Sequence, residues 1–336
     1  MQNNLNGCFI IPTGLGCSIG GDTAATAVMK VIGACCDNLI VNPNACNSSD
    51  LNFMPSSALY TEGSIIDRFL EGSIKLKPTK TFNKILCVAN PPLQPDNWNA
   101  VNAAIYTMGA NIELIELNTP LFMKATFNED GTAGGVFSGA DELIEQIKDL
   151  DFDVLAIHTP IECDEKISQA YWEGKILVNP WGGIESILSR YLANKLNKNL
   201  AHSPICEKSD FELRLYHTHI VNQSMAAEAI SNTYATCMFI GLHRAPIISD
   251  EGLSNKDIDF LVTPHGCWGR PHEACIKNNI TLIVVKENTT VFSEGFKYPN
   301  YNKLVFVDTY LEASGVIASM GAGVNPHQAT LKDLKF

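Results

Sequence analysis

The chain has 336 residues, 46% hydrophobic and 18% charged, with a formal net charge of −12 at pH 7. That length suits one large α/β domain or two ordinary ones, and the acidic balance excludes nucleic acid and anionic membrane surfaces as main partners. No run reaches the roughly 18 apolar residues of a membrane span, and residues 1–7 lack the basic and apolar regions of a signal peptide.

Eleven cysteines, an odd number, are scattered without a disulfide framework. Cys8, Cys87, Cys237 and Cys275 lie inside apolar segments, where cysteine acts as a small core residue, and the adjacent Cys35 and Cys36 read as structural. The expected location is a reducing cytoplasm.

In chain order, short Val/Ile/Leu-rich runs stop at proline or glycine at 9–14, 38–43, 85–91, 112–120, 154–160, 176–180 and 260–264, and further apolar runs cover 282–286 and 304–308. Continuous apolar runs are the mark of strands buried on both faces. Helical spacing separates most of them, at 23–32, 97–108, 141–150, 184–198 and 225–242. The pattern predicts an α/β fold with mostly parallel, Rossmann-like doubly wound sheets in two lobes and a ligand cleft at the strand carboxyl ends. The lobes are expected at 1–200, with a hairpin inserted near 124–138, and at 201–336. Proline cannot donate to a ladder, so the Asn-Pro and Thr-Pro exits mark that carboxyl edge. They suggest a pocket lined by Thr13, Asn42, Asn44, Asn90, Thr159, Asn179 and Thr263.

Three loops stand out. Gly14, Gly16 and the glycines to Gly21 follow strand one and lead to a helix that Asp22 or Thr23 can cap, an arrangement that exposes N–H groups to phosphate or carboxylate. Its spacing departs from the dinucleotide fingerprint, and strand two ends in Asn-Pro-Asn where a ribose-binding acid would stand. A second loop sets Cys46 among Asn44, Asn47 and Ser48. A third, Asn179-Pro-Trp-Gly182-Gly183-Ile-Glu185, again runs from strand to helix, with Glu185 either a cap or an acid.

The most distinctive stretch is Thr263-Pro-His265-Gly-Cys267-Trp-Gly-Arg270-Pro-His272. Pro271 suits the first position of a helix, whose positive end would favour a thiolate at Cys267. His217 and His219 could join this loop around a metal, but no pair has the CxxC or HExxH spacing, so neither metal nor other cofactor is expected.

Asn44-Ala-Cys-Asn-Ser-Ser49 and Pro264-His-Gly-Cys267 resemble the cysteine loops of the aspartate/glutamate racemase superfamily. That resemblance implies two α/β lobes, Cys46 and Cys267 as paired thiols, Asn47 and Ser48 on a substrate carboxylate, and no cofactor. The sequence departs from it at Trp268-Gly-Arg270 and lacks an acid after strand one. Over nearly the whole chain, Ile11-Pro-Thr-Gly-Leu-Gly16, Asn42-Pro-Asn44, Ala201-His-Ser-Pro204, Gly241-Leu-His-Arg-Ala-Pro246 and Glu287-Asn-Thr-Thr290 are similar to a family of unknown function from bacteria, cyanobacteria and plants. In that family a cysteine near 267 is more usual than one at 46.

The expected function is a cysteine-dependent isomerase, racemase or lyase acting on a small carboxylate or amino-acid-like substrate. Cys267, Cys46, His265 and His272 would be catalytic. Thr13, Gly14, Gly16, Asn44, Asn47, Ser48, Asn179, Gly182, Gly183 and Arg270 would bind substrate. The alternatives are a nucleotide- or phosphate-binding protein using the Gly14–21 loop, and a metal-dependent hydrolase or lyase. Homodimer assembly stays open.

Overall fold

In the computed structural model of the chain, residues 5–20, 24–46, 54–205 and 234–326 are described. The apolar runs become parallel strands. Strands β1 (Asn6–Phe9), β2 (Asn38–Val41) and β3 (Ala58–Tyr60) join β12 (Phe260–His265), β13 (Thr281–Thr289) and β14 (Leu304–Val307) in a six-stranded sheet. Its order is β14-β13-β12-β1-β2-β3, and every pairing in it is parallel. Counted along the chain this is the 3-2-1-4-5-6 order of a Rossmann-like doubly wound sheet, reversing between β1 and β12.

A second parallel sheet, ordered β10-β9-β5-β6, contains β5 (Lys84–Ala89), β6 (Asn111–Glu116), β9 (Val154–Pro160) and β10 (Leu200–Ile205). Its order reverses between β5 and β9. Strands β4 (Lys75–Lys77) and β11 (Ile247–Ser249) form a small antiparallel pair, and β7 (Phe122–Phe127) and β8 (Ala133–Ser138) form the expected hairpin.

The sheets do not follow a division at residue 200. The first takes strands from both ends of the chain and the second takes its middle, because β1 pairs with β12 across some 250 residues. Buried Asn199 ties the two together. Its Oδ1 accepts from Glu62 N at 3.0 Å, and its Nδ2 donates to Tyr60 O and Pro246 O at 2.9 and 3.1 Å. Two apolar cores run through both sheets. Leu39, Val41, Ile85 and Cys87 share one, and Ile40, Leu86 and Val88 share the other. Strands with both faces buried account for the missing polar alternation.

Helices α1 (Ala24–Gly33), α2 (Pro43–Cys46), α3 (Gly63–Leu70), α4 (Pro95–Met108), α5 (Ala140–Ile147), α6 (Glu165–Trp172) and α7 (Pro180–Leu196) precede α8 (Tyr234–His243), α9 (Arg270–Lys277) and α10 (Tyr310–Gly321). Helix α7 has Asn179 as its cap, accepting from Trp181 N and Gly182 N, and Pro180 in its first turn. It ends at Asn197 in the left-handed region, with φ 51°.

Two expectations are corrected. The 176–180 run is a loop between α6 and α7, with Val178 buried and Leu177 exposed, held by Lys175 N and Ile176 N donating to Ala170 O. Strand β10 falls where irregular structure was expected, because its residues are not a continuous apolar run. It is an edge strand, where a proline such as Pro204 leaves the fewest ladder bonds unmade. Among the described residues, no helix is long and apolar enough to cross a membrane.

Candidate functional site

Parallel strands leave a sheet on one side, and ligands of open α/β sheets bind where the strand order reverses. Here both reversals open onto one cavity of about 990 Å³. Pro12, Thr13 and Cys267 line it from the β1/β12 reversal, and Asn90 with Pro160–Cys163 from the β5/β9 reversal. The loops containing Thr13, Asn44 and Cys267–His272, remote in sequence, meet there.

The exit asparagines are spent on the backbone. Asn42 Oδ1 accepts from Ile11 N at 3.0 Å and its Nδ2 donates to Ile11 O at 2.8 Å. Asn90 makes the same reciprocal pair with Leu121 N and O, at 2.8 and 2.9 Å. Asn44 Nδ2 donates to Ile11 O and Pro12 O, and Asn179 caps α7. These amides lock strand exits whose carbonyls and N–H groups would otherwise be buried without partners. Thr159 and Thr263 are buried and bond to His202 Nε2 and His272 Nε2 respectively, each at 3.1 Å.

The glycines of the first and third loops serve each other. Gly14 and Gly16 have φ of 73° and 68°, a region glycine enters without strain. A Cβ on Gly182 would stand 1.8 Å from Thr13 Oγ1, and one on Gly183 would stand 2.3 Å from the Ala133 backbone. Ala133 N donates to Gly14 O and Val291 N to Leu15 O. The start of α7, the hairpin and the 290 loop therefore pack onto the glycine turn. This close packing, rather than an open anion cradle, accounts for the glycines.

Cys46 packs in the hydrophobic core, donating to Asn42 O at 3.3 Å, and burial pushes its thiol well above the usual range. It is not part of the cavity wall. Cys267 is, but it is only 7% exposed, and burial pushes its thiol up to about 12. The thiolate expected beside a helix N-terminus is therefore disfavoured, first by loss of solvation and then by the nearby Asp67.

His272 is 1% exposed, with Nδ1 accepting from Gly269 N at 3.2 Å and Nε2 facing Thr263 Oγ1. Burial lowers its pKa to about 4, so it is a neutral capping residue. His265 lies behind the wall, its ring against Tyr298 and its carbonyl accepting from Ser293 Oγ. Arg270 lines the cavity but staples α9 to α3, donating to both Glu71 oxygens at 2.8 and 2.7 Å.

Other lining groups come from the face of α7 and its neighbours. Glu185 Oε1 lies 2.9 Å from His202 Nδ1. The imidazole side chain is fully buried, with Nε2 at 3.1 Å from both Thr159 Oγ1 and Thr159 O, whereas Glu185 is 24% exposed. The hydrogen shared between Glu185 Oε1 and His202 Nδ1 holds the Glu185 carboxyl group in place. Arg190 reaches Asp67 at 3.5 Å, and Trp172 and Trp181 stand 6.2 Å apart. Ser203 lines the cavity, but its Oγ is buried and has no hydrogen-bond partner among the described residues. The four-residue spacing of Trp181, Glu185 and Ser189 on one helical face was the available sequence signal for part of this wall. No spacing links Glu185 to His202.

Asn47, Ser48, His217 and His219 lie outside the described residues. Among the described residues, no three His, Cys, Asp or Glu side chains assemble as metal ligands.

No solved structure matches the chain. An uncharacterized lipoprotein of Synechococcus sp. (strain ATCC 27144 / PCC 6301 / SAUG 1402/1) is 25% identical over 347 residues, covering 97% of this chain and 93% of its own. That relative's lipoprotein name overturns the cytoplasmic placement, since unpaired cysteines and an acidic surface report on chemistry and not on address. Neither this match nor the family match is to a racemase. Residues 6–330 match the family described as protein of unknown function DUF3326, and the chain belongs to that family.

Proposed function

We propose that the chain is an enzyme that moves a proton on a small carboxylate or amino-acid-like molecule held in this cleft, with Glu185 as base and His202 as the residue that positions it. The observation that carries the reading is the convergence of two strand-order reversals on one cavity. Glu185 reaches the cavity with one oxygen bound to His202 and the other without a hydrogen-bond partner among the described residues. It would take the proton from the carbon beside the substrate carboxylate. The C–H electron pair would move into that carboxylate as an enediolate, and return of the proton to carbon would complete an isomerisation or exchange. Ser189 borders the same space, and its hydroxyl can donate to the developing oxygen charge.

Charge argues against a nucleotide. Glu62, Asp67, Glu162, Glu165 and Glu185 line the cavity against Arg190 and Arg270, a wall that repels a polyphosphate. A cysteine-dependent reaction is the second reading, favoured by the position of Cys267 at the β1/β12 reversal.

The test needs no known product. The protein is incubated in D₂O with a panel of carboxylates and amino acids, and loss of each α-proton signal is followed by ¹H NMR. Exchange with at least one compound, abolished in Glu185→Gln and slowed in His202→Asn, is expected. Exchange that survives Glu185→Gln would remove the base assignment, and no exchange with any compound would remove the reading.

A further inference from the structure

We infer that the cleft takes an elongated ligand with a cationic group at one end and an anionic group at the other, held near the two ends of the stretch of α7 that lines it. This inference rests on the cleft being the ligand site. Trp181, Glu185 and Arg190 all line the cavity from that helix. At 1.5 Å per residue, the nine steps from Trp181 to Arg190 span about 13 Å. The two ends differ in chemistry. At the first, Trp181 and Trp172 line the wall with their ring centroids 6.2 Å apart, and the carboxylate of Glu185 follows one turn along the helix. Aromatic faces and a carboxylate attract an ammonium group and repel an anion. At the other, the half-exposed Arg190 guanidinium meets Asp67 only at 3.5 Å, a loose contact that a better-placed ligand carboxylate can displace.

The cavity volume also points to a ligand of this size. A cavity of about 990 Å³ lies at the upper end of small-molecule sites, far larger than a glycine-sized substrate needs.

The test is isothermal titration calorimetry of the full chain with 8-aminooctanoate, octanoate, octylamine and glycine. The zwitterion should bind at least about tenfold more tightly than each of the other three, a difference of about 1.4 kcal/mol. Arg190→Gln should reduce it to the level of octylamine, and Arg190→Lys should retain part of the gain. Octanoate binding as tightly as the zwitterion would overturn the cationic end, and an unaltered affinity in Arg190→Gln would overturn the anionic end. Glycine binding as tightly would overturn the length. In those cases deuterium exchange can still proceed, and the proton-transfer reading stands. No heat with any probe overturns the inference, and the exchange experiment then decides separately whether the cleft reading falls with it.

Discussion

Alkylation of Cys267 separates the two chemical readings of the cleft. Only the thiolate reacts with iodoacetamide, so the rate follows its population. Burial moves the thiol from its ordinary value of 9.0 to about 12. Three units lower the thiolate population about a thousandfold, from roughly 3 in 100 at pH 7.5 to roughly 3 in 100,000. The assay is a time course on the native chain, quenched, digested and read by mass spectrometry peptide by peptide, with free cysteine as the reference. The partly exposed Cys35 and Cys163 serve as internal controls. Cys267 should label at about a thousandth of the reference rate or slower, and its rate should rise about tenfold per pH unit up to pH 9 and beyond. Labelling within tenfold of free cysteine at pH 7.5 would refute the argument from burial. It would also restore a thiolate at the β1/β12 reversal.

Burial lowers the pKa of both His158 and His272 to about 4 from an ordinary 6.5. Between these values the unfolded chain binds protons that the folded one refuses, so the stability present above pH 6.5 falls as pH drops towards 4, by up to about 1.4 kcal/mol per pH unit for each histidine. Urea midpoints at pH 7.5 and 5.5 should differ accordingly, and equal midpoints would contradict the neutral-histidine assignment. Gly183→Ala drives a Cβ to 2.3 Å from the Ala133 backbone and should cost about 3 kcal/mol or more in thermal unfolding. Gly63→Ala, with nothing within 4 Å, should be neutral or stabilising by up to about 1 kcal/mol, and equal losses in the two variants would show that close packing is not the reason for Gly183.

Much of the architecture was legible in one dimension. Runs such as 38–43 and 85–91 stop at proline because their residues are buried on both faces of a parallel sheet and then leave it. Parallel pairing places all such exits on one side, and for that reason Thr13, Asn44 and Cys267 could be expected to meet. The 176–180 run shows the limit of the pattern. Its apolar residues satisfy loop packing as readily as a ladder, and Ala170 O of the preceding helix captured the N–H of Ile176.

Periodicity and composition therefore determined the fold class, the carboxyl-edge cleft and the loops that reach it, because each strand's burial is written in its own few residues. Tertiary structure alone decided how those residues are used. Asn42 and Asn90 became backbone clamps because Ile11 and Leu121 lie beside them, and Cys46 and Cys267 became neutral thiols because distant segments removed their water. Glu185 acquired His202 only once α7 lay against β10. A side chain's partner and its charge state depend on whatever packs against it, and no local pattern carries that information.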